Sequence, residues 1–127
     1  MIKTFFMRRK TRAVKIRNIQ IGGDAPVAVQ SMTKTDTTDV DGTIKQIEEM
    51  ANAGCEIVRI AVPDKDAAIA LKEIRKRTNL PLVADIHFHY KLALMALEAG
   101  IDKLRINPGN IGSIDRVREV VRATEAQ

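Results

Sequence analysis

An α/β fold of parallel strand–helix units, led by a small antiparallel hairpin, is what this sequence predicts, and three observations predict it. First, the apolar runs PVAVQSM (26–32), EIVRIAV (56–62), LPLVADIH (80–87) and DKLRINP (102–108) alternate with helical stretches at about 39–53, 65–78, 90–99 and 113–125. Such alternation means parallel strands joined by right-handed crossovers. Second, NAGCEIVRIAVP (52–63) returns 46 residues later as EAGIDKLRINPG (98–109), aligning without gaps as A-G-x-[ED]-x-[VL]-R-I. Third, the polar residues inside the apolar runs fall at alternating positions, so they share one face of the sheet.

The elements follow in chain order. Residues 1–17 hold seven basic side chains (Lys3, Arg8, Arg9, Lys10, Arg12, Lys15, Arg17) and no acid, so the net charge of +5 comes from the N-terminus. Residues 1–13 are read as a basic arm. Only Phe5, Phe6, Phe88 and Tyr90 are aromatic, so the arm has no stacking platform and nucleic acid is not an expected partner. VKIRNIQI then alternates about Arg17-Asn18, which predicts a hairpin pairing 14–16 with 19–21. The first long helix carries Val40, Ile44, Ile47 and Met50 on one stripe, takes its caps from Thr38 and Asp39, and stops at Gly54.

The internal repeat joins strands two and four of the series. In a closed (β/α)8 barrel alternate strands feed the same interior layer, so Arg59 and Arg105 are expected at one height, pointing inward. That choice sets the phase of every strand. Val58, Ile60, Leu82, Ala84, Ile86, Leu104 and Ile106 then face the helices, as parallel strands covered on both sides require. Val27 and Val29 also turn outward, with Ala28 and Gln30 inward. Gln30, Arg59, Asp85 with His87, and Arg105 with Asn107 are therefore expected at the C-terminal ends of the strands, where barrel enzymes place their sites. Residues 14–127 would form the first four units of such a barrel.

Two inward guanidiniums need compensation, and Asp85 can neutralise one of them. The surplus positive charge favours an anionic ligand, for which arginine offers a planar fork. NPGNIGS (107–113) could add backbone N–H groups from a helix N-terminus. His87 and His89 stand at i and i+2, yet a catalytic zinc needs a third ligand and the arginines repel a cation, so no metal site is expected. His89 falls past the strand and reads as a capping or surface residue. Cys55 is the one cysteine of the 127 residues, which excludes a disulfide framework and any CxxC site in this chain.

With 45% apolar and 29% charged residues the chain suits an ordinary soluble core. No apolar run approaches the roughly 18 residues of a membrane span, and the expected location is the cytoplasm.

PVAVQSMTKTDTTD (26–39), VRIAVP (58–63), LVADIHFHYKLAL (82–94) and LRINPGNIG (104–112) together resemble the N-terminal part of the 4-hydroxy-3-methylbut-2-enyl diphosphate synthase family. The resemblance implies a TIM barrel and the reductive ring opening of 2-C-methyl-D-erythritol 2,4-cyclodiphosphate in the non-mevalonate (MEP) pathway of isoprenoid synthesis. It implies a [4Fe-4S] cluster, held by three Cys and a Glu on a separate C-terminal domain, with ferredoxin or flavodoxin as electron donor. It also implies a homodimer. By the same resemblance Arg59 and Arg105 would clamp the diphosphate, His87 and Asn107 would contact it, and Asp85 would support them; Gln30 is added from the phase argument.

The chain holds about half of the roughly 250 residues of a barrel and none of the cluster cysteines. It is therefore expected to be a piece of a longer protein, inactive by itself and prone to self-association. Two rival readings are another phosphate- or pterin-binding barrel, of the dihydropteroate synthase kind, and a non-catalytic nucleic-acid binder acting through the arm.

Overall fold

The computed structural model describes residues 8–127. Lys3, Phe5 and Phe6 lie outside the described residues, and with them the first part of the basic arm. Arg8 to Ala13 form no regular structure. The hairpin forms with the expected register: β1 (Val14–Ile16) runs antiparallel to β2 (Ile19–Ile21), Val14 opposite Ile21 and Ile16 opposite Ile19. Its two-residue turn holds Arg17 at φ 56°, a left-handed backbone that costs a branched or long side chain about 1 kcal/mol.

Four parallel strands build the sheet, in the order β3 (Gln30–Met32), β4 (Ile57–Ala61), β5 (Leu82–Ile86) and β6 (Lys103–Ile106). Helices α1 (Val40–Asn52), α2 (Lys65–Arg77) and α3 (Tyr90–Glu98) make the crossovers. A single turn that periodicity does not reveal, α4 (Pro108–Ile111), then precedes α5 (Ile114–Glu125). Caps are supplied as the sequence suggests: Asp39 accepts from Gly42 N and Asp64 from Ala67 N, each satisfying one of the free N–H groups of a first turn. Gly54 follows α1 at φ 100°, where a Cβ would be strained.

The first strand is shorter than expected. Residues 26–29 make no ladder, and β3 begins at Gln30, paired with Ile57. Pro26 has no N–H to give, and upstream of Gln30 it is the Val29 carbonyl that reaches the neighbouring strand, accepting from Glu56 N at 2.9 Å and Ile57 N at 3.1 Å. In the loop from β3 to α1, Asp36 accepts from the hydroxyl and the N–H of Thr38. The Thr38 hydroxyl bond, then the backbone bond, holds the Asp36 carboxyl below its usual pKa. The loop thus keeps this support above the ordinary carboxylate range and loses it as pH falls through the lowered value.

The outward phase is the core. Val58, Ile60, Val62, Leu82, Ala84 and Ile86 are all buried against Ile44, Ile47, Leu71, Ile74, Ala93 and Ala96 of the helices. Each valine, leucine or isoleucine among them contributes roughly 1.5–3 kcal/mol of burial. On the opposite face Ile57 and Val83 pack instead against Ile16 of the hairpin. The hairpin therefore plugs the end of the sheet at which the strands begin.

An ion-pair hub ties that plug to the sheet, and the exposed Arg17 of the hairpin turn takes part in it. Asp102, just before β6, accepts from Arg75 Nη1 at 2.6 Å, Arg17 Nη1 at 3.3 Å and Leu82 N at 2.9 Å. Arg75 also donates from Nη2 to the carbonyls of Thr78 and Leu80, at 2.6 and 2.9 Å. Burial lowers the pKa of Arg75, while Asp102 opposes that shift. Hairpin, α2 and β6 are thus tied to one carboxylate.

Replacing Asp102 by Ala strands a mostly buried Arg75 and should cost about 3 kcal/mol, read as a lower urea midpoint. Asp41, whose pairing with Arg77 is solvent-exposed, serves as the control: its replacement by Ala should leave the midpoint where it was.

Candidate anion-binding site

Alternation along β4, β5 and β6 sends Arg59, Asp85 and Arg105 to the face opposite the helices. The ladder sets Asp85 beside Arg105 and Arg59 beside Val83, which in turn pairs with Lys103. Arg105 is thus two residues further along the ladder than Arg59, across two strands. A shear of eight over eight strands gives that same offset to residues of one layer. Both arginines reach one carboxylate: Arg105 Nη1 donates to Asp85 Oδ1 at 3.2 Å, and Arg59 Nε stands 3.4 Å from Oδ2.

The three groups differ in exposure. Asp85 is 2% exposed, whereas the side chains of Arg59 and Arg105 keep 34% and 46% of their surface. A buried carboxylate thus anchors two guanidiniums whose outer faces are open. One negative charge cannot cancel two positive ones, so the cluster carries a surplus positive charge. Arg59 Nε is itself buried and, among the described residues, has no hydrogen-bond partner; its contact with Asp85 is ionic but poorly aligned for a hydrogen bond. What this arrangement can do is hold an anion across the two guanidiniums.

The remaining sequence candidates divide. His87 follows β5, with Nε2 3.7 Å from Asp85 Oδ2, too long for a hydrogen bond, and its ring is half exposed beside Phe88. It is near the cluster and free to turn towards a ligand. Asn107 follows β6, but its Oδ1 accepts from Gly109 N at 3.1 Å, capping α4. That cap narrows the expectation that NPGNIGS offers N–H groups to an anion, because it takes up those of residues 109–111. Pro108 has none, Gly109 N is taken by the Asn107 side chain, and Asn110 N and Ile111 N both go to Asn107 O. The α4 turn thus consumes its own donors up to Ile111.

Gln30 is a correction. It opens β3 opposite Ile57, at the hairpin end of the sheet, and Met32 is the residue paired with Arg59. The expected run, 26–32, ends where β3 ends, but β3 starts at Gln30 and not at Pro26, so Gln30 opens the strand and Met32 closes it. Met32 was therefore missed as the side chain beside Arg59, although the same alternation counted on from Gln30 points to it.

His89 leaves the cluster altogether. It takes the N-cap position of α3 without a side-chain cap bond and lines an outer groove of about 670 Å³ with Asp64, Lys65, Lys91 and Arg116. Among the described residues no group of three or more His, Cys, Asp or Glu could hold a metal ion. Cys55 is half-buried between α1 and β4, its Sγ 3.1 Å from Ile57 O, far along the chain from any other thiol since it has no companion.

The GcpE TIM-barrel domain family matches residues 11–127. The chain belongs to that family. It is 64% identical over 116 residues to the 4-hydroxy-3-methylbut-2-en-1-yl diphosphate synthase (flavodoxin) of Symbiobacterium thermophilum, a match that covers 91% of this chain and 31% of the relative. The protein of the same name from Lawsonia intracellularis is 61% identical over 120 residues, covering 94% of this chain and 33% of the relative. This GcpE-family chain thus spans about a third of the length of these relatives.

Solved structures agree on the fold alone. Mandelate oxidase with (S)-2-phenylpropionate superposes with a TM-score of 0.57 at 14% identity, over 94% of this chain and 61% of the oxidase. The carboxyl transferase domain of Rhizobium etli pyruvate carboxylase with 3-hydroxypyruvate gives 0.52 at 18% identity, over 79% of this chain and 24% of that one.

Removing Asp85 tests the geometry directly. Asp85→Ala leaves two guanidiniums uncompensated and should cost about 2 kcal/mol in urea unfolding at low salt, less than for a fully buried pair because both arginines remain part-exposed. Millimolar inorganic phosphate should restore part of that loss. A variant as stable as its parent would show that Asp85 does not compensate the arginines.

Proposed function

We propose that this chain is the diphosphate-recognising part of a 4-hydroxy-3-methylbut-2-enyl diphosphate synthase of the MEP pathway. In this reading the whole protein converts 2-C-methyl-D-erythritol 2,4-cyclodiphosphate to 4-hydroxy-3-methylbut-2-enyl diphosphate by reductive ring opening in the cytoplasm, with electrons from flavodoxin or ferredoxin. The observation that carries it is the pairing of two part-exposed guanidiniums with one buried carboxylate on the inner face of the sheet. The match to relatives of that name supports the choice of anion.

The roles follow from what each side chain has left to give. Arg59 and Arg105 present N–H groups to the phosphate oxygens, while Asp85 below them fixes both guanidiniums and keeps them from folding towards solvent. His87, half exposed, turns a ring N–H to the same anion. Asn107 spends its Oδ1 on the α4 cap and retains its amide N–H groups for the ligand. Gln30 has no part in the ligand shell, since it sits at the other end of β3.

The [4Fe-4S] cluster implied for the whole enzyme does not fit the residues present. Three cysteine ligands are required and the chain has Cys55 alone, so the cluster ligands belong to a part of the protein outside this chain. The task of the 127 residues is to bind and orient the substrate.

Calorimetric titration of the chain with the cyclodiphosphate is the test, with a pterin diphosphate as the rival ligand. Binding of the cyclic diphosphate should dominate. Arg59→Ala or Arg105→Ala should each weaken it by about 1.5 kcal/mol or more, the scale of a hydrogen bond to a charged group. Unchanged affinity in both variants would refute the clamp, and preference for the pterin would favour the rival barrel.

A further inference from the structure

We infer that the outer groove where α2, α3 and α5 begin is a second binding site, and that it takes the diphosphate ester of a short hydrocarbon chain. Its lining combines two chemistries. Leu92 is buried, Tyr90 and Met95 are half-buried, and with Pro63 they make an apolar wall. Lys65, His89, Lys91 and Arg116, all exposed, make a rim of N–H donors. At about 670 Å³ the groove falls among small-molecule sites of roughly 300–1,000 Å³, which join apolar walls to a few polar groups. α3 packs against both α2 and α5, and no residue of β3 or β6 lines the groove, so the open edges of the sheet have no share in it.

The rim carries positive charge that the chain leaves uncompensated. Among the lining residues Lys65, Lys91 and Arg116 oppose Asp64 alone, three charges against one, and Asp64 is engaged as the cap of α2 through Ala67 N at 2.8 Å. Elsewhere on the helices Lys76, Arg77 and Arg118 pair with Glu73, Asp41 and Asp115, at 3.9, 2.6 and 3.5 Å. Among the described residues the three cations of the groove have no such partner. Arg116 is held in another way. Its Cζ lies 5.1 Å from the centre of the Tyr90 ring, and Gly112, at φ 116°, makes room for it, since a Cβ there would stand 3.0 Å from its Cδ and Nη1. The guanidinium is thus positioned without spending its N–H groups on a carboxylate. α3 adds to the field, for it starts on His89 with no side-chain cap and has no acid in its first turn.

These features select among anions. The cations come from three different helices, so a ligand with charge on two phosphoryl groups meets more of them than a carboxylate or a single phosphate does. Tyr90 already stacks with Arg116, which leaves Leu92, Met95 and Pro63 as the surface for an organic tail. Such a surface suits a hydrocarbon chain, gained by burial alone, better than a nucleobase that needs polar partners at its edge. None of these residues belongs to the cluster of Arg59, Asp85 and Arg105, which lies on the face of the sheet opposite the helices.

Titration of the isotope-labelled chain with geranyl diphosphate, followed residue by residue through amide shifts in two-dimensional NMR, is the test. Saturable shifts should appear at Lys65, Lys91, Met95 and Arg116. Inorganic pyrophosphate should bind there at least about tenfold more weakly, having no chain to bury. Lys91→Ala and Arg116→Ala, both at exposed positions, should each weaken geranyl diphosphate at least about tenfold, one charge-assisted contact apiece, with spectra that otherwise overlay the parent's. No saturable shift in the groove, shifts confined to Arg59, Asp85 and Arg105, pyrophosphate bound as tightly as the ester, or unchanged affinity in either variant would each overturn the inference. The cyclodiphosphate titration reads the inner cluster separately, so the failure of one site leaves the other standing.

Discussion

The outward faces of β4, β5 and β6 admit only aliphatic side chains, and the rest of the structure depends on that constraint. Val58, Ile60, Val62, Leu82, Ala84 and Ile86 lie under the helices with no exposed surface to speak of. A charge on that face would be desolvated without a partner, at a cost the fold could not meet. Arg59, Asp85 and Arg105 are therefore confined to the other face, one or two strands apart, where they can only meet one another. Packing on one side of the sheet thereby creates the electrostatics on the other.

The inner face is then divided along its length. Where the strands begin, Ile16, Ile57 and Val83 make a small second core, and Asp102 ties hairpin, α2 and β6 together just outside it. Where the strands end, the side chains are charged and part-open. The packed end and the charged end are separated by about the length of one strand, an arrangement typical of parallel barrels. A single carboxylate serves each end: Asp102, mostly closed off, ties up the buried Arg75, whereas Asp85 leaves two guanidiniums with capacity to spare.

That spare capacity is also what low-identity likeness to other barrels cannot convey. Mandelate oxidase and the pyruvate carboxylase domain share the layering of strands and helices at 14% and 18% identity. The outward aliphatic rule is enough to produce such likeness, because it constrains hydrophobicity and period and leaves the inner face free. Chemistry resides in which polar residues a barrel places there.

Period and turn chemistry made much of this legible beforehand. The hairpin register followed from alternation around Arg17-Asn18, the cap of α1 from Asp39, its end from Gly54, and the facing of Arg59, Asp85 and Arg105 from the repeat. By itself, then, the sequence determined which residues face the helices and which face inward, since that depends on a two-residue period that each strand carries locally. Only the tertiary structure decided where β3 starts, because a strand exists only where a neighbour keeps a ladder register with it, and that register begins at Gln30 with Ile57. It likewise decided that Asn107 caps α4, and that Arg17, Arg75 and Asp102, separated by 85 and 27 residues, converge on one carboxylate. Contacts across such distances arise from the docking of whole elements, which no local pattern of side chains encodes.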